Sequence, residues 1–334
     1  MKAAFRKGNE ITFEDIEPRA LDFGEIRVRV EACGICGTDI APRPDDAPKL
    51  RFGHEIAGEI IEVGPGVTGL SVGQKLALDS STPCGHCANC RNGKQELCTS
   101  LKTFFRGNEL GFAEEVIAPA ISALPYEGLR PAVVTVQEPL GVAIDMVRLA
   151  DLETTSNVLI LGQGPIGLMA LQLARHAGVR RAFVSDFKWR TGRVKVATAF
   201  GADDYIDPKE TPLTDYDFEC KIDRIMVTAP PVTLPTAFEV AAKGAIVSFI
   251  GIGHGEAGTI KFDADAFHFK KLQLRASFAS PALYGPKAMQ FLMEGVVDGE
   301  ALVSHTFPLD SLPKAMEVAT KDPDAVKVVI TGES

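Results

Sequence analysis

The 334-residue sequence has no surplus of basic residues: 35 Lys plus Arg stand against 44 Asp plus Glu, for a net charge of −9 and a pI near 5.3. A protein that grips a phosphate backbone needs clustered positive charge, so nucleic acid is not an expected partner. The amino terminus, MKAAFRKGNEITFEDIE, lacks the apolar core of a secretory signal. A run that could cross a membrane is missing too. The most apolar stretch, Val158 to Ala174, is broken by Gly162, Gln163, Gly164, Pro165, Gly167 and Gln172, which bar a lipid-exposed span. Internal repeats, low-complexity tracts and flexible linkers are also missing. The expectation is a cytoplasmic protein with no membrane partner.

What is present is ordinary for a globular chain: 46% apolar and 24% charged residues, with 31 Gly and 21 Pro. At about 150 residues per domain, this length suggests two domains. Seven cysteines fall at Cys33, Cys36, Cys84, Cys87, Cys90, Cys98 and Cys220. An odd number in a long chain without a signal fits reduced, metal-binding thiols better than a disulfide framework.

Residues 1–60 show short β-like runs, such as the alternating Ile26 to Val30 (IRVRV), between Gly, Pro and charged turns. From Asn157 the pattern changes. Continuous or nearly continuous apolar strands are expected at 157–161, 182–186, 222–227, 245–250 and 272–278, with helices at 165–177, 190–200 and 234–242. Alternating strand and helix read as a parallel, doubly wound sheet. A helix at 286–294 and a strand at 326–330 close the chain. The simplest partition is an all-β domain interrupted by a nucleotide-binding domain of the α/β class.

Cys84-x2-Cys87-x2-Cys90-x7-Cys98 places four thiols in a loop broken by Pro83, Gly85 and Gly93. Zinc takes four ligands in a tetrahedron, and thiolates on a turning backbone can supply them all. Iron–sulfur ligation is the rival, but Thr99 stands where ferredoxin-type runs carry proline. With four protein sulfurs the ion would have no open position and would hold the fold of the loop. His86, inside it, reads as a solvated turn residue.

Gly162-x-Gly164-x-x-Gly167 follows a strand and opens a helix whose first residues are Pro165 and Ile166. The first glycine allows the tight turn, the second lets a pyrophosphate approach, and the third lets helix and strand pack closely. The helix N-terminus then offers unpaired N–H groups to the phosphates. Asp186, ending the next strand, is placed to accept hydrogen bonds from the adenosine ribose, which favours NAD over NADP. Lys188 and Arg190 qualify that preference, since they could hold a 2′-phosphate. Arg193 reads as solvated.

Three further elements are weak one by one: Gly34-Ile35-Cys36-Gly37-Thr38-Asp39, Gly53-His54-Glu55 and Gln137-Glu138-Pro139-Leu140. Their order around the cysteine loop and the glycine turn resembles the zinc-dependent medium-chain dehydrogenase/reductase family. The Glu-Pro-Leu element is similar to its sorbitol (polyol) dehydrogenase-like branch. The resemblance implies a GroES-like catalytic domain over 1–138 and 279–334 around a Rossmann domain over 139–278, with the active site in the cleft. It implies two zinc ions per chain: a structural one on Cys84, Cys87, Cys90 and Cys98, and a catalytic one on Cys36 and His54, with Glu55 as a third ligand that can come and go. Glu138 would be the fourth ligand or the partner of the metal's water. Asp39 would orient the His54 imidazole, and Thr38 would present its hydroxyl to the substrate oxygen.

The implied activity is hydride transfer between a secondary alcohol, foremost a polyol or sugar alcohol, and NAD, giving the ketone. Other alcohol classes (an amino alcohol such as threonine, an aldose, a phosphorylated sugar alcohol, a simple alcohol) stay open, as do a zinc-free reductase of quinones or enones and a non-catalytic NAD-binding protein on the same scaffold. A homodimer or homotetramer is implied, with 272–278 as a candidate pairing edge. Ala41 stands where many members carry a proton-relay histidine, and Asp145 where polyol dehydrogenases commonly carry one. Arg43, Arg51, Arg106 and Glu109 are candidates for polar substrate recognition or plain surface residues. Cys33, Cys220, His176, His254, His268 and His305 read as structural, and Gly251-Ile252-Gly253 as a turn or a nicotinamide contact.

Overall fold

In Glu25–Gly34 the side chains alternate, Ile26, Val28 and Val30 turning into the core and Arg27 and Arg29 to the opposite face, where they pair with Glu62 and Glu59 respectively. This strand is the hub of a seven-stranded sheet. It pairs antiparallel with Glu55–Val63, Glu115–Pro119 and Lys327–Thr331. The computed structural model describes residues 1–103, 110–253, 255–278 and 283–332. They form two compact units: Met1–Gly141 with Ala279–Ser334, and Val142–Phe278.

In the first unit the sheet runs Ala123–Pro125, Lys75–Leu78, Glu55–Val63, Glu25–Gly34, Lys327–Thr331, Val303–Pro308, with Glu115–Pro119 also on Glu25–Gly34. Strands from both ends of the chain thus share one sheet. Ile26, Val28, Ile56, Ile60, Leu76, Leu78 and Phe112 form its core, with Cys33 among them. A small sheet joins Lys2–Lys7 to Glu10–Asp15 and Leu50–Arg51. The four-cysteine loop is built from the one-turn helix Ala88–Arg91 and the 3-10 turn Gln95–Leu97.

The second unit is a six-stranded, all-parallel sheet in the order Asp204–Ile206, Arg181–Ser185, Asn157–Leu161, Arg224–Val227, Ile246–Phe249, Gln273–Ala276. Each of Asn157 to Leu161 is buried, which is why this strand reads as an unbroken apolar run. Helices Pro165–His176, Thr191–Ala199, Leu234–Val240 and Ala264–Phe269 belong to this unit. Strand order reverses beside Asn157–Leu161, the switch point at which open α/β sheets bind ligands.

The strand Asp204–Ile206 was not anticipated from sequence. It is three residues long, begins on an exposed Asp and has no apolar run to announce it. The helices Ala264–Phe269 and Leu312–Lys321 were also missed, although Leu312 and Ala315 of the latter are buried at helical spacing. Arg106, Glu109 and His254 lie outside the described residues. Among the described residues, no helix is long and apolar enough to cross a membrane.

Candidate functional site

Three strand ends assemble the first cluster. In the antiparallel registers Gly34 lies opposite Glu55 on one side and Val329 on the other, so Glu55 and Lys327 flank the end of the hub strand. The chain leaving that end carries Cys36, which caps the short helix Gly37–Ile40. Glu55 and Lys327 are 1% and 2% exposed and form an ion pair, with Lys327 Nζ also donating to the Ile35 carbonyl at 3.0 Å. Gly34 makes room for them: a Cβ there would lie 2.1 Å from Glu55 Oε2 and 2.9 Å from Lys327 Cε.

The donor atoms of Cys36, His54 and Glu55 lie within 4.8 Å of one another. Zinc bound at about 2.0–2.3 Å to each donor needs separations of roughly 3.3–3.8 Å, so a small inward movement would close the set. The charges fit a cation as well. Burial opposes protonation of His54, but the Cys36 sulfur, Asp39 and Glu138 outweigh it and push its pKa well above the ordinary histidine value. Burial likewise opposes charge on Lys327, and Glu55, Cys36 and Glu138 hold it charged. Burial also pushes the Glu55 carboxyl up, against the pull of Lys327 and His54. We take the two as an ion pair, because neither could be left charged alone at this depth.

Glu138 stands apart from this compact set. Its Oε1 accepts a hydrogen bond from Ser80 Oγ at 2.9 Å at the start of helix Gln137–Ala150. Asp39 accepts from the backbone N–H of Cys36 at 2.9 Å and lies 3.9 Å from His54 Nδ1, beyond hydrogen-bond distance, so it shapes the Cys36 turn more directly than it orients the imidazole. Thr38 is exposed on the one-turn helix.

The four-cysteine loop brings its sulfurs together unaided: Cys84 and Cys90 are 3.9 Å apart, Cys87 and Cys98 4.0 Å. These are close to the edges of a tetrahedron with zinc–sulfur bonds of about 2.3 Å. Backbone N–H groups of Cys84, Cys87 and Ser100 point at the sulfurs at 3.3–3.4 Å. Backbone donors at Cys90 and Thr99 pull the Cys87 thiol down to about 5, whereas burial and neighbouring thiols push Cys90 up to about 12. His86 is exposed, its Nδ1 2.9 Å from the Cys84 carbonyl oxygen, outside the sulfur set.

In the second unit Gly162 has φ +92°, and a Cβ there would press on Thr228 Oγ1 and the Ala229 nitrogen; a Cβ on Gly167 would lie 2.0 Å from the Gly162 oxygen. Open space lies beyond Gly164, where a ligand's phosphates would approach. Asp186 accepts from Gln163 N–H at 2.9 Å, Phe187 N–H at 2.8 Å and Arg193 Nη1 at 3.1 Å. Arg193 is therefore no solvated bystander.

Residues 22–127 match the alcohol dehydrogenase GroES-like domain, and residues 165–294 match the zinc-binding dehydrogenase domain. L-idonate 5-dehydrogenase of Vitis vinifera is 31% identical, across 91% of this chain and 87% of its own. The chain belongs to the zinc-dependent medium-chain dehydrogenase/reductase family. L-threonine 3-dehydrogenase of Saccharopolyspora erythraea is 30% identical, across 96% of this chain and 94% of its own. A solved short-chain alcohol dehydrogenase from E. coli CFT073, complexed with NADH, superposes with a TM-score of 0.89 at 28% identity, covering 99% of both chains. The fold is thus a GroES-like β-domain with a Rossmann domain.

Three buried charged residues escaped sequence reasoning: Lys327, paired with Glu55; Arg6, against the turn after Cys36; and Asp79, bonded to Gln137 next to Glu138. Arg6 is buried and donates to the carbonyls of Gly8 at 2.9 Å and Ala41 at 2.8 Å and to that of Asp39, clamping the turn after Cys36. Arg51, a candidate for substrate recognition or the surface, does neither: it is 4% exposed and donates to the carbonyls of Leu110 at 2.8 Å and Glu115 at 3.0 Å. Asp145 accepts from Ser277 Oγ at 2.7 Å. Glycines 251 and 253 are demanded by backbone, since a Cβ would lie 1.9 Å from the Ala229 oxygen and 2.2 Å from the Ala257 oxygen respectively. His176 and His268 are exposed, and His305 contacts Ser304.

In the metal-free protein, Lys327→Met should lower stability by about 3–5 kcal/mol, since it strands the buried Glu55 carboxylate. Adding Glu55→Gln should recover most of that loss in urea unfolding; no recovery would show that packing, not charge pairing, is what was lost. Asp79 provides a second test. Burial pushes its carboxyl up to about 7, opposed by the hydrogen bond from Gln137 Nε2 at 3.1 Å. The folded chain therefore holds a proton that the unfolded chain has released, and stability falls as pH rises from about 4 to 7. Asp79→Asn should flatten that slope, by on the order of a few kcal/mol across the window. Parallel stability–pH curves for variant and parent would count against the assignment.

Proposed function

We propose that this chain is a zinc-dependent oxidoreductase that moves a hydride between a polar secondary alcohol and a nicotinamide dinucleotide, yielding the ketone. The observation that carries this reading is the convergence of Cys36, His54 and Glu55 at the end of the hub strand, in a protein that also has a Gly162–Gly167 turn shaped for pyrophosphate. Three donors of these types would hold a zinc ion with room left for a substrate oxygen. A zinc held there would supply Lewis acidity, and a bound nicotinamide would supply the hydride acceptor.

The chain's own residues supply the rest. Ser80 holds the Glu138 carboxylate at the rim of the cluster, Arg6 fixes the turn that carries Cys36, and the exposed Thr38 hydroxyl can take the alcohol's proton toward water. Ala41 has no group that could relay a proton, whereas Thr38 offers a hydroxyl on the Cys36 turn that can donate and accept one. Cys84, Cys87, Cys90 and Cys98 would hold a second zinc with no open position.

Idonate and threonine, named in two relatives, are both acids bearing a secondary alcohol, which supports a polar substrate of the polyol, sugar-acid or amino-alcohol type. A homo-oligomer is proposed as well: Gln273–Ala276 is an edge strand, with Leu274 39% and the nearby Phe278 71% exposed. The purified protein should contain two zinc ions per chain, reduce a nicotinamide dinucleotide with at least one member of a polyol and amino-alcohol panel, and show a solution mass above that of one chain. Cys36→Ser should keep one zinc and lose at least a thousandfold in turnover. Fewer than two zinc ions in the parent, or full turnover in the variant, would sink the proposal.

A further inference from the structure

The start of helix Gln137–Ala150 is gripped by two consecutive side chains. Asp79 and Ser80 follow the strand Lys75–Leu78, and Gln137 and Glu138 open the helix. Gln137 Nε2 donates to Asp79 Oδ1 at 3.1 Å, and Ser80 Oγ donates to Glu138 Oε1 at 2.9 Å. Gln137, Asp79 and Ser80 are all buried. The clasp is itself anchored. The Asp79 N–H donates to the Ser122 carbonyl at 2.9 Å. Gly285, the first residue of helix Gly285–Met293, leaves space for the Asp79 carboxylate: a Cβ there would lie 2.5 and 2.7 Å from its oxygens.

Glu138, the half-buried member of the four, lies within electrostatic reach of the metal-competent donors. Burial is the largest influence on the protonation of His54, Glu55 and Lys327, and the charge of Glu138 acts on all three as well. Yet Glu138 is not part of the compact set of Cys36, His54 and Glu55. A glutamate side chain turns about several bonds, so nearness alone would let this carboxylate swing onto a cation held by the other three. A reactive zinc site keeps an open position beside its protein ligands, and a further anionic donor would fill it.

Ser80 opposes that swing. Its hydroxyl has a single hydrogen, which it gives to Glu138 Oε1, while no described residue donates to Oε2. The bond from Gln137 to Asp79 fixes the piece of helix from which the Glu138 side chain reaches.

We propose that Ser80 and Asp79 are positioning residues that hold Glu138 off the Cys36, His54 and Glu55 set, so that a metal there keeps the open position a substrate oxygen needs. The inference rests on the zinc reading above. Glu138 then serves the site as a fixed charge and a hydrogen-bond acceptor, not as a ligand.

The sign of one measurement separates this role from a merely supportive one. Losing a supporting contact loosens a metal site, whereas releasing Glu138 onto the metal tightens it. Metal-free full-length protein would be titrated with cobalt(II), whose visible bands distinguish the one-thiolate site from the four-thiolate loop, and turnover measured on the zinc-loaded chain. Ser80→Ala should bind cobalt at the Cys36 site about tenfold more tightly and lower kcat about tenfold with little change in KM. Ser80→Thr, which keeps the hydroxyl, should match the parent. Gln137→Met, which breaks the other half of the clasp, should shift both quantities in the same directions as Ser80→Ala. In a Glu138→Gln background the tightening should vanish, because a neutral amide cannot replace the anion. Weaker or unchanged cobalt binding in Ser80→Ala or, should that variant not fold, in Gln137→Met, overturns the clasp and leaves the zinc reading standing; so does tightening that survives Glu138→Gln. A parent that binds cobalt only at the four-cysteine loop sinks both.

Discussion

Glu55 and Lys327 are almost wholly buried, and neither charge could be carried to that depth without the other. Much of the first unit answers to that requirement. The hub strand Glu25–Gly34 must take Glu55–Val63 on one side and the carboxyl-terminal Lys327–Thr331 on the other, and its last residue must be a glycine for the two side chains to meet. The same strand end releases the chain into the Cys36 turn, which Arg6 clamps from a neighbouring sheet. A structural ion pair and a cluster of metal-competent donors therefore share Glu55. In this structure the Glu55 carboxylate is paired with Lys327.

The second unit solves a different problem with similar economy. The central strand of its parallel sheet, Asn157–Leu161, is buried throughout, and the turn from Gly162 to Gly167 is shaped by backbone closeness that no side chain could tolerate. The chemistry at the next strand end is set by charge. Asp186 is held between a backbone N–H of that turn and Arg193, so the glycine turn and the Asp186 carboxylate are one hydrogen-bonded structure.

Local features were legible in advance. The cysteine spacing, the glycine turn and the alternation of strand with helix lie within short windows, where the backbone's own periodicity and reach decide what can meet. The strands at 157–161 and 246–249 and the helix Pro165–His176 follow closely from their apolar runs and their Pro and Gly ends. The short strand Asp204–Ile206 did not, because it is held by pairing with Arg181–Ser185 and not by its own composition.

The sequence by itself determined the two-part α/β architecture and the membership of the dehydrogenase family, since both rest on motifs whose residues act over a few positions or in fixed order. Only the tertiary structure decided that Lys327 meets Glu55, that Arg6 and Arg51 are interior clamps, and that Arg193 occupies Asp186. Each of these is a charged side chain whose partner comes from a distant strand or the next helix, or whose acceptors are backbone carbonyls. A buried charge leaves no periodic trace in the chain; its cost is settled only by what folding places beside it.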